Sequence, residues 1–71
     1  MTELVIDARG MRCPWPALRL ARAMRDAAAV RLLADDPAVS REVGALAAEH
    51  GWTAEPLAPP EQGFRVVRPA A

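Results

Sequence analysis

A chain of 71 residues that contains one cysteine and one histidine has to fold around one small apolar core without covalent or metal support. An internal disulfide needs two cysteines and a zinc site needs three or four ligands, so neither can hold this chain together. Chains of this size lie near the lower limit at which a hydrophobic core alone maintains a fold. Apolar residues make up 52% of the sequence, which is enough for one such core. We therefore predict a single domain over residues 1–71, with no bound metal or other cofactor.

The charges of the chain balance but are distributed unevenly. Nine arginines oppose nine acidic residues, so the formal net charge is zero. Residues 1–34 hold six arginines and three acids, whereas residues 35–71 hold three arginines and six acids. Zero net charge and the lack of an aromatic stacking platform argue against autonomous binding of nucleic acid. The first ten residues include Glu3 and Asp7 and are too polar for a signal peptide or a membrane span. We predict a cytoplasmic protein with no membrane partner.

Apolar residues recur with two different periods along the chain. Short runs rich in β-branched residues predict strands at 4–6, 30–34, 52–55 and 64–67. Helical spacing predicts amphipathic helices at 16–28 and 37–50. Asp36 is the predicted cap of the second helix, Pro37 its first residue and Gly51 the residue just past its end. The predicted order of elements is β-α-β-α-β-β.

This order predicts an α/β two-layer sandwich, in which a mixed four-stranded sheet carries two helices on one face. Crossovers between parallel strands of one sheet are almost always right-handed, so both helices would pack on the same side. Both helices would also begin at the same edge of the sheet. Cys13 would then lie near Asp35 and Asp36, whereas His50 would lie at the far end. The open face of the sheet is available for a weak homodimer.

Cys13 lies where a loop becomes the first helix, and this position favours an anion. Free backbone N–H groups and the helix dipole lower the pKa of a cysteine there. Because Pro14 and Pro16 lack an N–H, the donors that remain in this turn are chiefly those of Trp15 and Ala17. Arg9 and Arg12 add positive charge from the preceding loop. We therefore predict an exposed Cys13 that is more acidic than a free cysteine.

A sole cysteine of this kind supports several roles. It lacks the second thiol of a dithiol oxidoreductase, and the predicted topology keeps His50 too far away to serve as its base. Cys13 can therefore accept a group and surrender it to a partner, as a persulfide carrier does. One alternative is that Cys13 is simply a small buried hydrophobic residue beside the helix start. The others are a protein-binding or regulatory module in which Cys13 is not turned over, and a redox-sensing thiol that ends as a mixed disulfide or sulfenic acid.

The stretch from Ile6 to Pro16, which reads IDARGMRCPWP, resembles the start of TusA-like (SirA-like) proteins. Their mark is a Cys-Pro-x-Pro element after an Asp-x-x-Gly-x-x strand exit. Two later segments are similar as well: Ala34-Asp35-Asp36-Pro37-Ala38 followed by Arg41-Glu42-Val43, and the Gly51-Trp52 exit into the third strand. The resemblance spans nearly the whole chain.

The resemblance implies a sulfurtransferase that accepts sulfane sulfur as a persulfide on Cys13. The implied donor is a cysteine desulfurase or a rhodanese-like protein, and the implied endpoints are tRNA thiolation, molybdenum-cofactor sulfur and sulfur oxidation. Pro14 and Pro16 would shape the site, and Asp35 and Asp36 match the acidic turn of the family.

Two apolar residues beside the cysteine are candidates for partner docking. Trp15 and Leu18 lie off the apolar stripe of the first helix, and such exposed residues are typical of interfaces. Trp15 could instead fold back under the following loop. If it is exposed, it is a candidate for setting the choice of partner.

Overall fold

The computed structural model describes residues 3–69 of the chain. Its strands are β1 (Glu3–Asp7), β2 (Ala29–Leu33), β3 (Thr53–Pro56) and β4 (Gly63–Val67), and its helices are α1 (Trp15–Ala23) and α2 (Val39–His50). The order β-α-β-α-β-β is as predicted. No helix within residues 3–69 has the length and apolar character that a membrane crossing needs.

The four strands form one mixed sheet in the order β1-β2-β4-β3. β1 and β2 are parallel, with Leu4 opposite Val30. β4 lies antiparallel to both β2 and β3, which makes β2 and β3 parallel to each other across it. The two helix crossovers therefore join parallel strands, and both helices begin at the edge where β1 and β2 end.

One apolar core lies between this sheet and the two helices. The sheet contributes four buried side chains: Ile6, Val30, Leu32 and Val66. The helical layer contributes Leu20 from α1, Met24 from the residue just past its end, and Val39 and Val43 from α2. α1 and α2 also contact each other. The two-layer sandwich with both helices on one face is confirmed.

The opposite face of the sheet carries charged residues. Arg31 lies between the buried Val30 and Leu32, so its side chain points away from the helices. Arg65 Nε lies 2.6 Å from Glu3 Oε2, and Arg31 Nη1 lies 3.4 Å from Glu61 Oε2. Four charges on this face are thus paired within the chain.

Both helices are shorter than predicted. α1 ends at Ala23, and the N–H groups of Arg25 and Asp26 turn back to the carbonyls of Arg22 and Ala23. These bonds span three residues and tighten the last turn, so the helix stops five residues before the predicted end.

The start of α2 also differs from the prediction. The Asp36 carboxylate accepts a hydrogen bond from the N–H of Ala38 at 2.9 Å, and the Asp36 carbonyl accepts one from the N–H of Val39 at 3.0 Å. This turn keeps Pro37 outside the helix, and the N-cap residue of α2 is Ala38 and not the predicted Asp36. At the other end the prediction is correct, because Gly51 adopts the left-handed φ of 74° that ends α2.

Candidate functional site around Cys13

The loop from β1 to α1 presents Cys13 at the surface. Gly10 turns the chain with a φ of 83°, and the N–H of Met11 donates to the carbonyl of Ala8 at 3.1 Å. The Cys13–Pro14 peptide bond is cis, and α1 begins directly afterwards. The thiol is free and exposed, as the sequence predicts.

Two acidic residues after β2 anchor this loop. Asp35 Oδ1 accepts a hydrogen bond from the N–H of Gly10 at 3.0 Å, and Asp36 Oδ2 accepts one from the N–H of Cys13 at 2.9 Å. The second oxygen of Asp36 is bonded to Ala38, so one carboxylate joins the cysteine loop to the start of α2. These bonds hold the pKa of Asp36 below its usual range. The structure thus brings Cys13, Asp35 and Asp36 to one edge.

Glu42 contacts the thiol itself, a contact that sequence analysis did not anticipate. Cys13 Sγ donates a hydrogen bond to Glu42 Oε2. The other oxygen, Oε1, is shielded from solvent and has no hydrogen-bond partner within residues 3–69. Glu42 forms no ion pair within that range either.

The prediction of an acidified thiol is therefore wrong for the free protein. The hydrogen bond to Glu42 raises the pKa of Cys13, because it stabilises the protonated thiol. Partial desolvation and the negative charges of Glu42 and Asp36 act in the same direction, and Arg41 opposes them. The carboxylates thus outweigh the helix dipole that favours an anion here.

Two of the other sources of acidity that we predicted, the Trp15 N–H and Arg9, are engaged elsewhere. The N–H of Trp15 donates to the carbonyl of Arg12 at 3.0 Å, so it is not free to bind a sulfur anion. Arg9 forms a two-point pair with Asp7, with distances of 2.9 and 2.8 Å. That pair lowers the pKa of Asp7 to about 2 and leaves little of the Arg9 charge for Cys13.

Arg12 stays in the cysteine loop, close to the acidic turn. Its charge helps to lower the pKa of Asp36. Arg12, Met11 and Pro37 line a shallow cavity of about 350 Å³ together with Asp35 and Asp36. This cavity lies beside the acidic turn and holds polar groups from both loops.

An apolar groove runs from the site along the seam between the two helices. Pro14 and Leu18 form its α1 side, Leu46 lies on its α2 side, and Glu42 closes the end next to the cysteine. Its volume is about 430 Å³. Leu18 is 52% exposed and Trp15 is 60% exposed, so Trp15 does not fold back under the loop. Pro16, by contrast, is buried and packs the helix start onto the core.

His50 is remote from the thiol, as predicted. Its position is eight residues beyond Glu42 on α2, which corresponds to about 12 Å along the helix axis. The His50 ring stacks on Trp52, with centroids 4.4 Å apart. Within residues 3–69 no group of three or more His, Cys, Asp or Glu residues is arranged to hold a metal ion.

One sequence signal could have identified Glu42. An acidic residue in the first turn of α2 lies near the edge that both helix starts share, and it follows Asp36 by six residues. Its side chain points toward the helix N-terminus, as side chains on helices do, and so toward the cysteine loop.

Comparison with protein-family models identifies a family that matches this chain. The family model described as Sulfurtransferase TusA matches residues 4–67, which is most of the chain. The matched stretch runs from the second residue of β1 to the last residue of β4 and includes the cysteine loop.

Proposed function

The chain belongs to the TusA sulfurtransferase family, and from that premise we propose that it accepts sulfane sulfur as a persulfide on Cys13 and relays it to a partner protein. The observation that carries the proposal is the exposure of the only cysteine at the start of α1, within the region that the family model matches. An exposed thiol at a helix start can reach a sulfur atom that another protein presents.

The absence of a second thiol restricts the chemistry of this site. Cys13 is the only cysteine in the sequence, so it cannot form an internal disulfide that would discharge a bound sulfur. A persulfide on Cys13 is therefore not discharged by a second thiol of the same chain. A carrier needs this property, because the second reaction takes place on the acceptor.

The first experiment tests sulfur loading. We expect the protein, incubated with a cysteine desulfurase and cysteine or with a thiosulfate-fed rhodanese, to gain the mass of one sulfur atom, and a reductant to remove it. Cys13→Ser should remain folded and gain nothing, because serine is similar in size and keeps the backbone N–H that binds Asp36. Intact mass spectrometry measures both results.

The same measurement separates the alternatives. A thiol that stays unmodified with every donor favours a protein-binding module without sulfur turnover. A mass that increases by oxygen and not by sulfur favours a redox-sensing thiol. Discharge of the loaded protein onto acceptors of tRNA thiolation, molybdenum-cofactor synthesis or sulfur oxidation then assigns the pathway.

A further inference from the structure

Glu42 is the residue of α2 that touches the reacting atom of the proposed carrier. Its Oε2 accepts the hydrogen bond of the Cys13 thiol, and its Oε1 is shielded and unpaired within residues 3–69. Buried polar atoms of folded proteins almost always have a partner, so an unpaired carboxylate oxygen beside a functional cysteine calls for an explanation. Glu42 forms no ion pair within residues 3–69, so no cation of the described chain competes with a partner cation that displaces the Cys13 thiol from Oε2.

We propose that Glu42 holds Cys13 in the protonated, unreactive form in the free protein, and that a cationic side chain of the sulfur donor binds Glu42 on docking and thereby releases the thiolate. This inference rests on the proposed function. The partner that fits is a protein with an arginine or lysine beside its own sulfur-bearing cysteine. The apolar groove that Glu42 closes, whose α1 side includes the exposed Leu18, offers such a protein a place to dock.

The charges around the thiol agree with this assignment. Glu42 and Asp36 face Cys13 with negative charge, and among residues 3–69 Arg41 is the cation that favours its thiolate. Arg12 acts on Asp36. A partner cation on Glu42 removes the strongest of these influences, because it takes away the hydrogen-bond acceptor and neutralises the nearest negative charge.

The transfer step balances without an added oxidant. The released Cys13 thiolate attacks the outer sulfur of the donor persulfide, and a bond forms between that sulfur and Sγ. The sulfur–sulfur bond of the donor breaks, and its electron pair remains on the donor sulfur, which takes up a proton equivalent to the one that Cys13 lost. The donor ends as a thiol and Cys13 ends as a persulfide.

The first test measures the reactivity of the thiol in the free protein. Wild type, Glu42→Gln and the control Glu49→Gln are treated with iodoacetamide from pH 6 to 11, and intact mass spectrometry follows the alkylation of Cys13. Glu49 lies on the same helix at the other end of the groove, and 72% of its side chain is exposed. Cys13→Ser serves as the blank.

Glu42→Gln should move the midpoint of the rate profile to lower pH, and Glu49→Gln should match wild type. At pH 7 we expect Glu42→Gln to react about fivefold faster or more, since one like charge at contact distance disfavours a thiolate by that factor even in the dielectric of water. Coinciding profiles of wild type and Glu42→Gln would overturn the proposal. If Glu42→Gln fails to fold by circular dichroism, Glu42→Asp should give an intermediate midpoint.

The second test addresses recognition of the cation. Loading by inorganic polysulfide, which has no cationic group, should become faster in Glu42→Gln. Loading by a cysteine desulfurase with cysteine should not become faster to the same extent, because the variant cannot attract the partner cation. Equal acceleration with both donors would overturn the recognition of a cation by Glu42. If no donor loads any variant, the proposed function and the recognition step both fail, whereas the alkylation result still decides whether Glu42 holds the thiol protonated.

Discussion

At the scale of single residues, the helix start and two carboxylates act on the pKa of Cys13 in opposite directions. Cys13 directly precedes the N-cap residue of α1, where the helix dipole favours an anion. The partial charge of a helix terminus is about half an elementary charge, whereas Glu42 brings a full charge into hydrogen-bond contact with Sγ. The carboxylate therefore dominates, and the pKa of Cys13 is raised in the free protein.

Because its side chain is 60% exposed, we predict that Trp15 contributes to partner binding and not to the chemistry of sulfur. We expect Trp15→Ala to fold as wild type does and to load normally with inorganic polysulfide. Loading by the cognate protein donor should slow about fivefold or more, because exposed tryptophans at interfaces are frequent hot spots. Rates from intact mass spectrometry check both expectations.

Val5→Ala is the matched control for Trp15→Ala. Val5 is 54% exposed, but it lies on β1 opposite Arg31, on the sheet face that carries no helix. Its loss should leave loading by both kinds of donor unchanged. If Trp15→Ala and Val5→Ala behave alike with the protein donor, Trp15 has no role in docking.

At the scale of elements, the hydrophobic period predicted every strand and helix, and local hydrogen bonds set the ends that it missed. The strand after α2 begins at Thr53 and not at Trp52, because the Trp52 N–H donates to the carbonyl of Ala47 at 2.9 Å and completes the helix end. The contact of Glu42 with Cys13 could not be derived from periodicity. It depends on how α2 is placed against the cysteine loop, and that placement is fixed by the bonds of Asp36.

Two glycines in different elements should respond in opposite ways to substitution by alanine. At Gly63 in β4, a Cβ atom would lie 1.8 Å from the carbonyl oxygen of Leu32, and the φ of 143° disfavours side chains. Gly63→Ala should lower the free energy of unfolding by about 2 kcal/mol or more, since the obstacle is backbone.

Gly44 provides the comparison. It lies in α2, where a Cβ atom would have no neighbour within 4 Å. Gly44→Ala should raise the free energy of unfolding by roughly 0.5–1 kcal/mol, because alanine loses less backbone entropy in a helix. Urea denaturation measures both variants, and a stabilising Gly63→Ala or a destabilising Gly44→Ala would contradict the described packing.

At the scale of the whole molecule, the two faces of the sheet have different characters. The helix-covered face holds the apolar core, and the open face pairs Arg31 and Arg65 with Glu3 and Glu61. Such exposed pairs contribute little to stability, so the fold depends mainly on its core. Association of two copies through the open face stays a prediction, and sedimentation equilibrium over a range of concentrations would measure it.

The free energy of unfolding should be nearly constant at intermediate pH. It should fall at acidic pH as Asp7 and Asp36 take up protons, and at alkaline pH as the Cys13 thiol loses its proton. Asp7, with a pKa of about 2, and Asp36 bind protons less tightly in the folded chain than at their ordinary value of 3.8. Their contribution is therefore complete above that value and is lost as the pH falls toward 2. The contribution of Cys13 to stability depends on pH in the opposite direction. Its raised pKa makes a contribution that is complete below its ordinary value of 9.0 and is lost at higher pH.

The melting temperature, followed by circular dichroism, should thus be nearly constant from about pH 5 to 8 and should fall on both sides. Asp36→Asn should lower the plateau, because it weakens the anchor of the Cys13 N–H, and should flatten the acid side of the profile. Asp26→Asn is the control, since Asp26 makes no side-chain hydrogen bond within residues 3–69.

Cys13→Ser should flatten the alkaline side of the same profile, because serine does not titrate there. A Cys13→Ser profile that falls above pH 9 as steeply as that of wild type would show that the thiol has no part in the alkaline loss of stability, and that its proton is not held more tightly in the folded protein.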